Sequence, residues 1–148
     1  MTKNYLKLEF PAVAENIALA RVAVAAFASQ LDFTLPDIDD IRVAVSEAVT
    51  NVVVHAYPSG IDGTAKVFIE TSLDGEVLEI RIADQGTGIA DLEAARAAAG
   101  QGNDEHLGIG FNIMESCMDS LDVQSQSGRG TIVQMTKKAE RVPHEGQN

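Results

Sequence analysis

The sequence predicts an α/β two-layer sandwich, in which helices cover one face of a mixed, mostly antiparallel sheet. Segments with helical periodicity and strand-like segments are intermixed along the chain, so both belong to one fold. Two pairs of strand-like segments are separated by short glycine-containing turns, which favours antiparallel hairpins. With 148 residues, 45% of them hydrophobic, the chain has the length and composition of one globular domain. We expect this domain to span residues 1–138, followed by a loose C-terminal tail at 139–148.

The N-terminal segment predicts a strand followed by a helix. Leu6, Leu8 and Phe10 alternate with charged residues, which is the period-2 pattern of a half-buried strand. Between residues 13 and 31, apolar side chains recur at spacings of three and four, which indicates a helix. Pro11 precedes this helix, at a position where its missing N–H removes no helical hydrogen bond.

A second helix is predicted to begin near Thr34, a residue type that caps helices, with acidic residues in its first turn. It ends at Tyr57-Pro58-Ser59-Gly60, because proline and glycine interrupt the helical pattern. Its apolar stripe consists of Ile38, Ile41, Val45, Ala48 or Val49, and Val52.

A hairpin of two strands, at residues 65–72 and 76–83, follows the second helix. Asp74-Gly75 lies between the strands, and this pair favours a two-residue type I′ turn. Residues 84–88 read Asp-Gln-Gly-Thr-Gly, which is too rich in glycine for a helix or a strand. The remaining predicted elements are a short helix at 92–98, a loop at 100–107, a helix at 108–119 and strands at 121–127 and 131–137.

Charge and composition exclude several classes of function. The net charge of −11 argues against general nucleic-acid binding, which needs clustered Lys and Arg, and favours a partner with a basic patch. Cys117 is the single cysteine, which excludes a disulfide framework and a multi-cysteine zinc site. The longest apolar run, residues 22–28, is far shorter than the ~20 residues that span a bilayer. We therefore expect a cytoplasmic protein that binds neither a membrane nor nucleic acid directly.

Three polar residues of the second helix form the first candidate site. Glu47, Asn51 and His55 follow at four-residue steps, which places them on one helical face. An amide oxygen on that face can ligate Mg²⁺, and a carboxylate one turn away can accept a proton from a nucleophile. A solvated helix face has the same spacing, so the spacing alone leaves both interpretations open.

Two glycine-containing segments are candidate ligand sites. Asp84 ends a predicted strand beside Gly86 and Gly88, where a carboxylate can accept a hydrogen bond and the backbone can approach a ligand. Gly108 and Gly110 precede a predicted helix, whose N-terminus suits a phosphate. A plain glycine turn and an ordinary helix start would have the same sequence. The chain contains neither a P-loop pattern nor Gly-x-Gly-x-x-Gly after its first strand.

The order of these segments resembles the N, G1 and G2 boxes and the closing Gly-Thr of the GHKL ATPases. This superfamily includes gyrase B, Hsp90, histidine kinases and MutL. Within it, residues 6–138 are most similar to the small anti-sigma factor serine kinases of spore-forming bacteria. The corresponding segments of this chain are residues 45–57, 84–89, 108–111 and 128–131.

The resemblance implies a Bergerat-type ATP pocket between the helices and the sheet, with ATP and Mg²⁺ as cofactors. Asn51 would ligate the Mg²⁺ that bridges the phosphates, and Glu47 would activate the serine hydroxyl of a protein substrate. Asp84 would accept a hydrogen bond from the adenine amino group, with support from Thr131. The resemblance assigns no catalytic role to His55.

The glycines of the boxes and the loop before the third box complete the implied site. The glycines are Gly86 and Gly88 for the adenine pocket, and Gly108 and Gly110 for the phosphates. The family usually has an arginine shortly before the third box, whereas this chain has His106 there and no Lys or Arg over residues 97–128. Histidine is a weaker partner for the γ-phosphate at neutral pH. The sequence therefore supports ATP binding more firmly than rapid phosphoryl transfer.

The implied function is that of an ATP-dependent anti-sigma factor and protein-serine kinase. Such a protein sequesters a sporulation sigma factor, acts as a homodimer and phosphorylates a small anti-anti-sigma protein on serine. Arg21 flanks the apolar stripe of the first helix and is the candidate docking residue for both partners, with an intrachain ion pair as the alternative.

Two other classes of function are weighed against this one. The first is a nucleotide-dependent sigma-binding module with little kinase activity, which the uncharged loop favours. The second is a phosphate-transferring domain of a sensor histidine kinase. The absence of a preceding dimerisation helix with a phosphoacceptor histidine counts against the second class.

Overall fold

The protein forms a five-stranded sheet with helices packed on one of its faces. The structure, a computed structural model, describes residues 3–58, 64–97 and 105–140, with the backbone alone at residues 105 and 106. The strands are β1 (Asn4–Pro11), β2 (Lys66–Asp74), β3 (Val77–Asp84), β4 (Ser120–Gln126) and β5 (Gly130–Lys138). The helices are α1 (Glu15–Ala28), α2 (Leu35–Asn51), a π-helical turn at Val52–Ala56, α3 (Leu92–Ala97) and α4 (Glu105–Cys117).

The strands lie in the order β1-β2-β3-β5-β4, and each neighbouring pair is antiparallel. The predicted two-layer sandwich is confirmed, although the described strands include no parallel pair and the sheet is therefore not mixed. Burial alternates along β2 and β3 because one face of the sheet carries the helices and the other lies open. The most deeply buried side chains of these two strands are Val67, Ile69, Leu78, Ile80 and Ile82.

Helix α2 begins where its sequence predicts, because Thr34 and Asp37 form a capping box. The Asp37 N–H donates to Thr34 Oγ1 and the Thr34 N–H donates to Asp37 Oδ2, both at 3.2 Å. After Asn51 the helix widens into the π-turn, which the period of the sequence does not predict. Such turns often lie at functional sites. The helix buries Ile41, Ala44, Val45, Ala48 and Val49.

The turn between β2 and β3 differs from its prediction. Asp74 pairs with Val77 inside the ladder, so the two loop residues are Gly75 and Glu76 rather than Asp74 and Gly75. A type I′ turn needs positive φ at both loop residues. Of the two loop residues, Gly75 alone has a positive φ, at +61°. A positive φ at the first loop residue alone is the pattern of a type II′ turn. The predicted type I′ turn is therefore wrong.

Helix α4 begins at Glu105, three residues before its predicted start, so the last part of the predicted loop at 100–107 is helical. Gly108 and Gly110 consequently lie inside the helix instead of preceding it. In the second turn of a helix each N–H has an acceptor four residues back, so Gly110 offers a ligand no free N–H. Residues 98–104 lie outside the described part of the chain.

The C-terminal end of α4 is held by a buried lysine. Lys137 Nζ donates to the Cys117 carbonyl oxygen at 2.6 Å and lies 4.0 Å from Asp40 Oδ2. This bond satisfies a carbonyl that has no partner within the helix. Cys117 is buried, and burial raises the pKa of its thiol, with the Asp40 charge adding to the effect. This agrees with a structural thiol.

The packed domain extends at least to Ala139, whose side chain is buried and whose N–H donates to the Glu76 carbonyl oxygen at 2.8 Å. The predicted tail lies for the most part at residues 141–148, outside the described residues. In the part of the chain that the structure describes, no helix has the length and apolar character needed to cross a membrane.

Candidate functional site

A cavity lies between α2, the π-turn, α4 and the covered face of the sheet. Most of its wall is apolar, and four polar side chains also line it: Asn51, His55, Asp84 and Thr131. A largely apolar pocket with a few convergent polar groups is the usual form of a small-molecule site. The apolar wall includes Ala48, Val52, Ile82, Leu107, Phe111 and Val133.

Glu47 and Asn51 meet α4 at Gly110. A Cβ atom on Gly110 would lie 3.2 Å from Asn51 Oδ1 and 3.3 Å from Glu47 Oε2, so the missing side chain leaves room for both polar groups. Both side chains are half-buried, and they flank the core stripe of α2 instead of facing bulk water. The interpretation of this face as an ordinary solvated one therefore fails for Glu47 and Asn51.

The Asn51 amide has an unused donor. Its Nδ2 atom is buried and has no hydrogen-bond partner among the described residues. A buried polar group without a partner costs about 1–3 kcal/mol, so such groups are rare in a finished core. The Asn51 carboxamide therefore has a donor available for a ligand.

Asp84 ends β3 and is buried at the cavity wall. Its Oδ1 atom accepts a hydrogen bond from the Gly86 N–H at 2.9 Å. Burial raises the pKa of the Asp84 carboxyl above its ordinary value, and the N–H groups of Gly86 and Thr131 oppose part of that rise. The result is a hydrogen-bond acceptor in apolar surroundings, which suits an amino group on a flat ring.

Gly86 and Gly88 let the turn after β3 pack against two other elements. A Cβ atom on Gly86 would overlap the Ala56 carbonyl at the end of the π-turn, and the Thr87 N–H donates to that same oxygen at 2.9 Å. Gly88 has a φ of +72°, and a Cβ atom on it would overlap the Gln126 carbonyl of β4. Close packing of the turn, and not a flexible loop, accounts for both glycines.

Thr131 faces the cavity from β5 and lies opposite Ser125 of β4. The two hydroxyl oxygens are 2.8 Å apart, and Ser125 Oγ also accepts the Ile89 N–H at 2.7 Å. Sequence analysis did not single out Ser125. A prediction of which β4 and β5 residues lie opposite each other in the hairpin would have placed Ser125 across from Thr131.

Tyr57 is a second residue that sequence analysis did not single out. Its hydroxyl donates to the Lys66 carbonyl oxygen at 2.6 Å and accepts the Gln85 N–H at 3.0 Å. These bonds join the end of the π-turn to the start of β2 and to the residue after Asp84. Tyr57 therefore fixes the position of the turn that carries Gly86 and Gly88.

None of the described residues that line the cavity is Lys or Arg. Arg96 of α3 is near, with its guanidinium 6.0 Å from the centre of the Phe111 ring, but it pairs with Glu115 at 2.9 Å. The described residues include no group of three or more His, Cys, Asp or Glu that could hold a metal by themselves. The side chain of His106 lies outside the described residues, so its predicted role stays a prediction, as does that of Gly108 in α4.

Arg21 lies on α1 and does not line the cavity. It is half-buried, and its neighbours Leu19 and Val22 are 57% and 62% exposed. Arg21 is thus separate from the candidate ligand site.

Comparison with known proteins gives the family of the chain. The profile of the histidine kinase-like ATPase domain family matches residues 10–137. Anti-sigma F factors of Pasteuria penetrans and Bacillus subtilis are 44% and 42% identical to the chain. The alignments cover 93% and 91% of this chain and 93% and 92% of the two relatives.

A solved structure of the RsbU and RsbW domains of a Mycobacterium tuberculosis protein has the same fold, with a TM-score of 0.67. The match covers 95% of this chain and 35% of that one, at 19% sequence identity. Fold and site together define a histidine kinase-like ATPase domain. The chain belongs to that family and, within it, to the anti-sigma F factor family, which confirms the resemblance inferred from its motifs.

Proposed function

We propose that the protein is an ATP- and Mg²⁺-dependent anti-sigma factor that sequesters a sporulation sigma factor and phosphorylates an anti-anti-sigma protein on serine. The observation that carries this proposal is the meeting of Glu47 and Asn51 at Gly110, beside the cavity whose wall includes Asp84. These residues would supply a proton acceptor, a metal ligand and an acceptor for a base amino group.

The residues of the cavity fit ATP and Mg²⁺. Ala48, Ile82 and Val133 provide apolar surface for a purine ring, and the Asp84 carboxylate can accept a hydrogen bond from its amino group. Mg²⁺ commonly takes one or two protein oxygens and completes its shell with phosphate and water, so Asn51 Oδ1 is a sufficient protein ligand. The unpaired Asn51 Nδ2 would then donate to a phosphate oxygen.

Glu47 is the proposed general base. It precedes Asn51 by one helical turn, a rise of about 6 Å, so a proton acceptor and a metal ligand lie side by side on α2. Bound ATP would donate its γ-phosphoryl group to the serine oxygen and leave as ADP, and bound Mg²⁺ would neutralise the charge of the phosphates. Glu47 orients the attacking serine hydroxyl and accepts its proton, while Asp84 and Asn51 hold the two ends of the nucleotide.

The outer surface of α1 is the proposed docking surface for the sigma factor and the anti-anti-sigma protein. Leu19 and Val22 are exposed there, although an exposed helix face normally carries polar residues. Arg21 lies on the same helix and adds a positive charge in a protein of net charge −11. Both partners are proposed to compete for this surface in the cytoplasm.

A homodimer is part of the proposal, and the open face of the sheet is its proposed interface. Phe68, Ala83 and Ile132 are cross-strand neighbours at the centre of this face and are half-buried, so they form an apolar patch. A two-fold dimer requires a self-complementary surface. The adjacent row of exposed cross-strand partners alternates in charge, with Lys7, Glu70 and Arg81.

A phosphoryl-transfer assay tests the proposal. The purified protein is mixed with γ-labelled ATP, Mg²⁺ and the anti-anti-sigma protein of the same cell, and label on serine is measured. Capture of the sigma factor with and without ATP is measured in parallel, and light scattering gives the oligomeric state. Label transfer with ATP-dependent capture supports the proposal, and no transfer together with no capture contradicts it.

A non-catalytic, nucleotide-dependent sigma-binding module is the second candidate function. The absence of Lys and Arg from the described cavity lining favours it, since positive groups stabilise the charge of a transferred phosphoryl group. Arg96, whose guanidinium lies 6.0 Å from the centre of the Phe111 ring, is engaged by Glu115. ATP-dependent sigma capture without label transfer would select this function.

A further inference from the structure

We propose that Tyr57 is a positioning residue of the nucleotide site, whose hydroxyl holds the turn after Asp84 and thereby fixes the carboxylate toward the bound base. The inference rests on the proposed function, since it concerns how the proposed adenine site is kept in place. Tyr57 directly follows the π-turn, and its ring is half-buried and packs against the core. It does not line the cavity, so it acts on a ligand only through its neighbours.

Each hydrogen bond of the Tyr57 hydroxyl has a single possible direction. A backbone carbonyl can only accept and a backbone N–H can only donate. The hydroxyl therefore donates its one proton to the Lys66 carbonyl oxygen at 2.6 Å and accepts the Gln85 N–H at 3.0 Å. Lys66 begins β2, so the oxygen that holds Gln85 is itself held by a strand of the sheet.

The turn after Asp84 has three consecutive N–H groups with defined acceptors. The N–H groups of Gln85, Gly86 and Thr87 donate to Tyr57 Oη, Asp84 Oδ1 and the Ala56 carbonyl oxygen, at 3.0, 2.9 and 2.9 Å. The first and third acceptors belong to the residue after the π-turn and to the last residue of that turn, and the middle acceptor is the carboxylate itself. The position of the Gly86 N–H, and with it the direction of the Asp84 carboxylate, thus depends on the Tyr57 oxygen.

Loss of the Tyr57 oxygen is expected to affect the turn more than the fold. Gln85 is exposed, so water can satisfy its N–H when the tyrosine oxygen is absent. Hydrogen bonds weaken steeply as their angle departs from linearity, so a small shift of the turn misaligns the Asp84 carboxylate with the amino group of the base. The affinity that depends on this amino group should therefore fall while thermal stability is kept.

The experiment compares Tyr57→Phe with the unchanged full-length protein by calorimetric titration. Phenylalanine keeps the ring and removes the oxygen alone. The two ligands are ATP and purine riboside triphosphate, in which hydrogen replaces the amino group of adenine. We expect Tyr57→Phe to bind ATP about tenfold more weakly and to bind purine riboside triphosphate within about twofold of the unchanged protein. A purely structural role would lower the affinity for both nucleotides equally.

A double-mutant cycle tests whether Tyr57 acts through Asp84. Residues of one hydrogen-bond network have non-additive effects, so the double variant Tyr57→Phe/Asp84→Asn is expected to bind ATP as weakly as Asp84→Asn alone. Amide hydrogen exchange at Gln85 in the unchanged protein is a second measurement, which stands even if Tyr57→Phe fails to fold. Because coupling is reciprocal, saturating ATP should slow this exchange about fivefold more than saturating purine riboside triphosphate does.

Tyr5→Phe is the matched control. Tyr5 is the other tyrosine of the chain, is 68% exposed on β1 and does not line the cavity. The ATP affinity of this variant is expected to be unchanged. Equal losses for both nucleotides in Tyr57→Phe, no loss for ATP, additive losses with Asp84→Asn, or equal slowing of Gln85 exchange by both nucleotides would overturn the inference while the proposed function stands. Absence of ATP binding by the unchanged protein would instead overturn the proposed function, and the inference with it.

Discussion

Gly110 of α4 lies directly against the carboxamide of Asn51 of α2, so that a Cβ atom there would stand 3.2 Å from Asn51 Oδ1. That distance is tighter than an ordinary van der Waals contact, and the glycine is what allows the two helices this approach. Because α4 packs this closely, Ala48 and Asn51 of α2 line a cavity between the two helices and the sheet. The contact also connects the two sequence segments, far apart along the chain, that carry the proposed chemistry.

Asp84→Asn is expected to weaken ATP binding while the fold survives. Asparagine has one acceptor oxygen in place of a carboxylate, so the base amino group loses a charge-assisted partner worth about 1.5–3 kcal/mol. Calorimetric titration should show a loss of roughly 10- to 150-fold. Unchanged affinity would remove Asp84 from the site.

Asp84 is also expected to make stability depend on pH. Its folded-state pKa is raised above the ordinary value by burial, so the native state holds the proton more tightly than the unfolded state. The stabilisation is fully present below the ordinary pKa and is lost as pH rises through the raised one. The melting temperature of Asp84→Asn, relative to that of the unchanged protein, should therefore be higher at pH 7 than at pH 4. The reverse trend would show that the folded pKa is not raised.

Glu47→Gln is expected to reduce serine phosphorylation by about 100-fold or more while sigma-factor capture persists. Glutamine keeps the size and helix propensity of glutamate but cannot accept the hydroxyl proton. The radiolabel transfer assay measures the loss. Glu93→Gln is the control, since Glu93 is exposed on α3 and outside the cavity lining. A normal rate in Glu47→Gln would refute its role as general base.

Asn51→Ala is expected to abolish the Mg²⁺-dependent part of nucleotide binding without lowering thermal stability. The amide Nδ2 makes no hydrogen bond in the described structure, so its removal leaves no protein partner unsatisfied. Alanine is also the better helix former at the end of α2. Titration of ATP with Mg²⁺ and with EDTA, beside a thermal melt, provides the two measurements. A large drop in melting temperature would assign Asn51 a structural role instead.

Arg21→Ala is expected to weaken binding of the sigma factor, the anti-anti-sigma protein or both by about 2 kcal/mol or more, as for an interface hot spot. ATP affinity should stay the same, because Arg21 does not line the cavity. Surface plasmon resonance with both partners measures the effect. Arg42→Ala, which removes an exposed arginine paired with Asp39, serves as the control. Normal affinity for both partners would locate the docking surface elsewhere.

Much of the fold could be predicted because its signals are local. Alternation in β1, the capping residues of α2 and the glycine-marked turns each act within a few neighbouring residues. The candidate residues Glu47, Asn51 and Asp84 were also found from the sequence, since the order of three short motifs carries more information than any one of them. All three contribute to one region of the structure, as Asn51 and Asp84 line the cavity and Glu47 meets Gly110 beside it.

The sequence by itself determined the two-layer fold, the family and the main polar residues, because periodicity and motif order are properties of neighbours in the chain. Only the tertiary structure decided the π-turn after Asn51, the early start of α4 and the pairing of Ser125 with Thr131. These features depend on contacts between distant elements, whose packing outweighs local propensity. The role of Gly110 has the same physical origin, because its missing side chain leaves room for Asn51 and Glu47 only where α4 packs against α2.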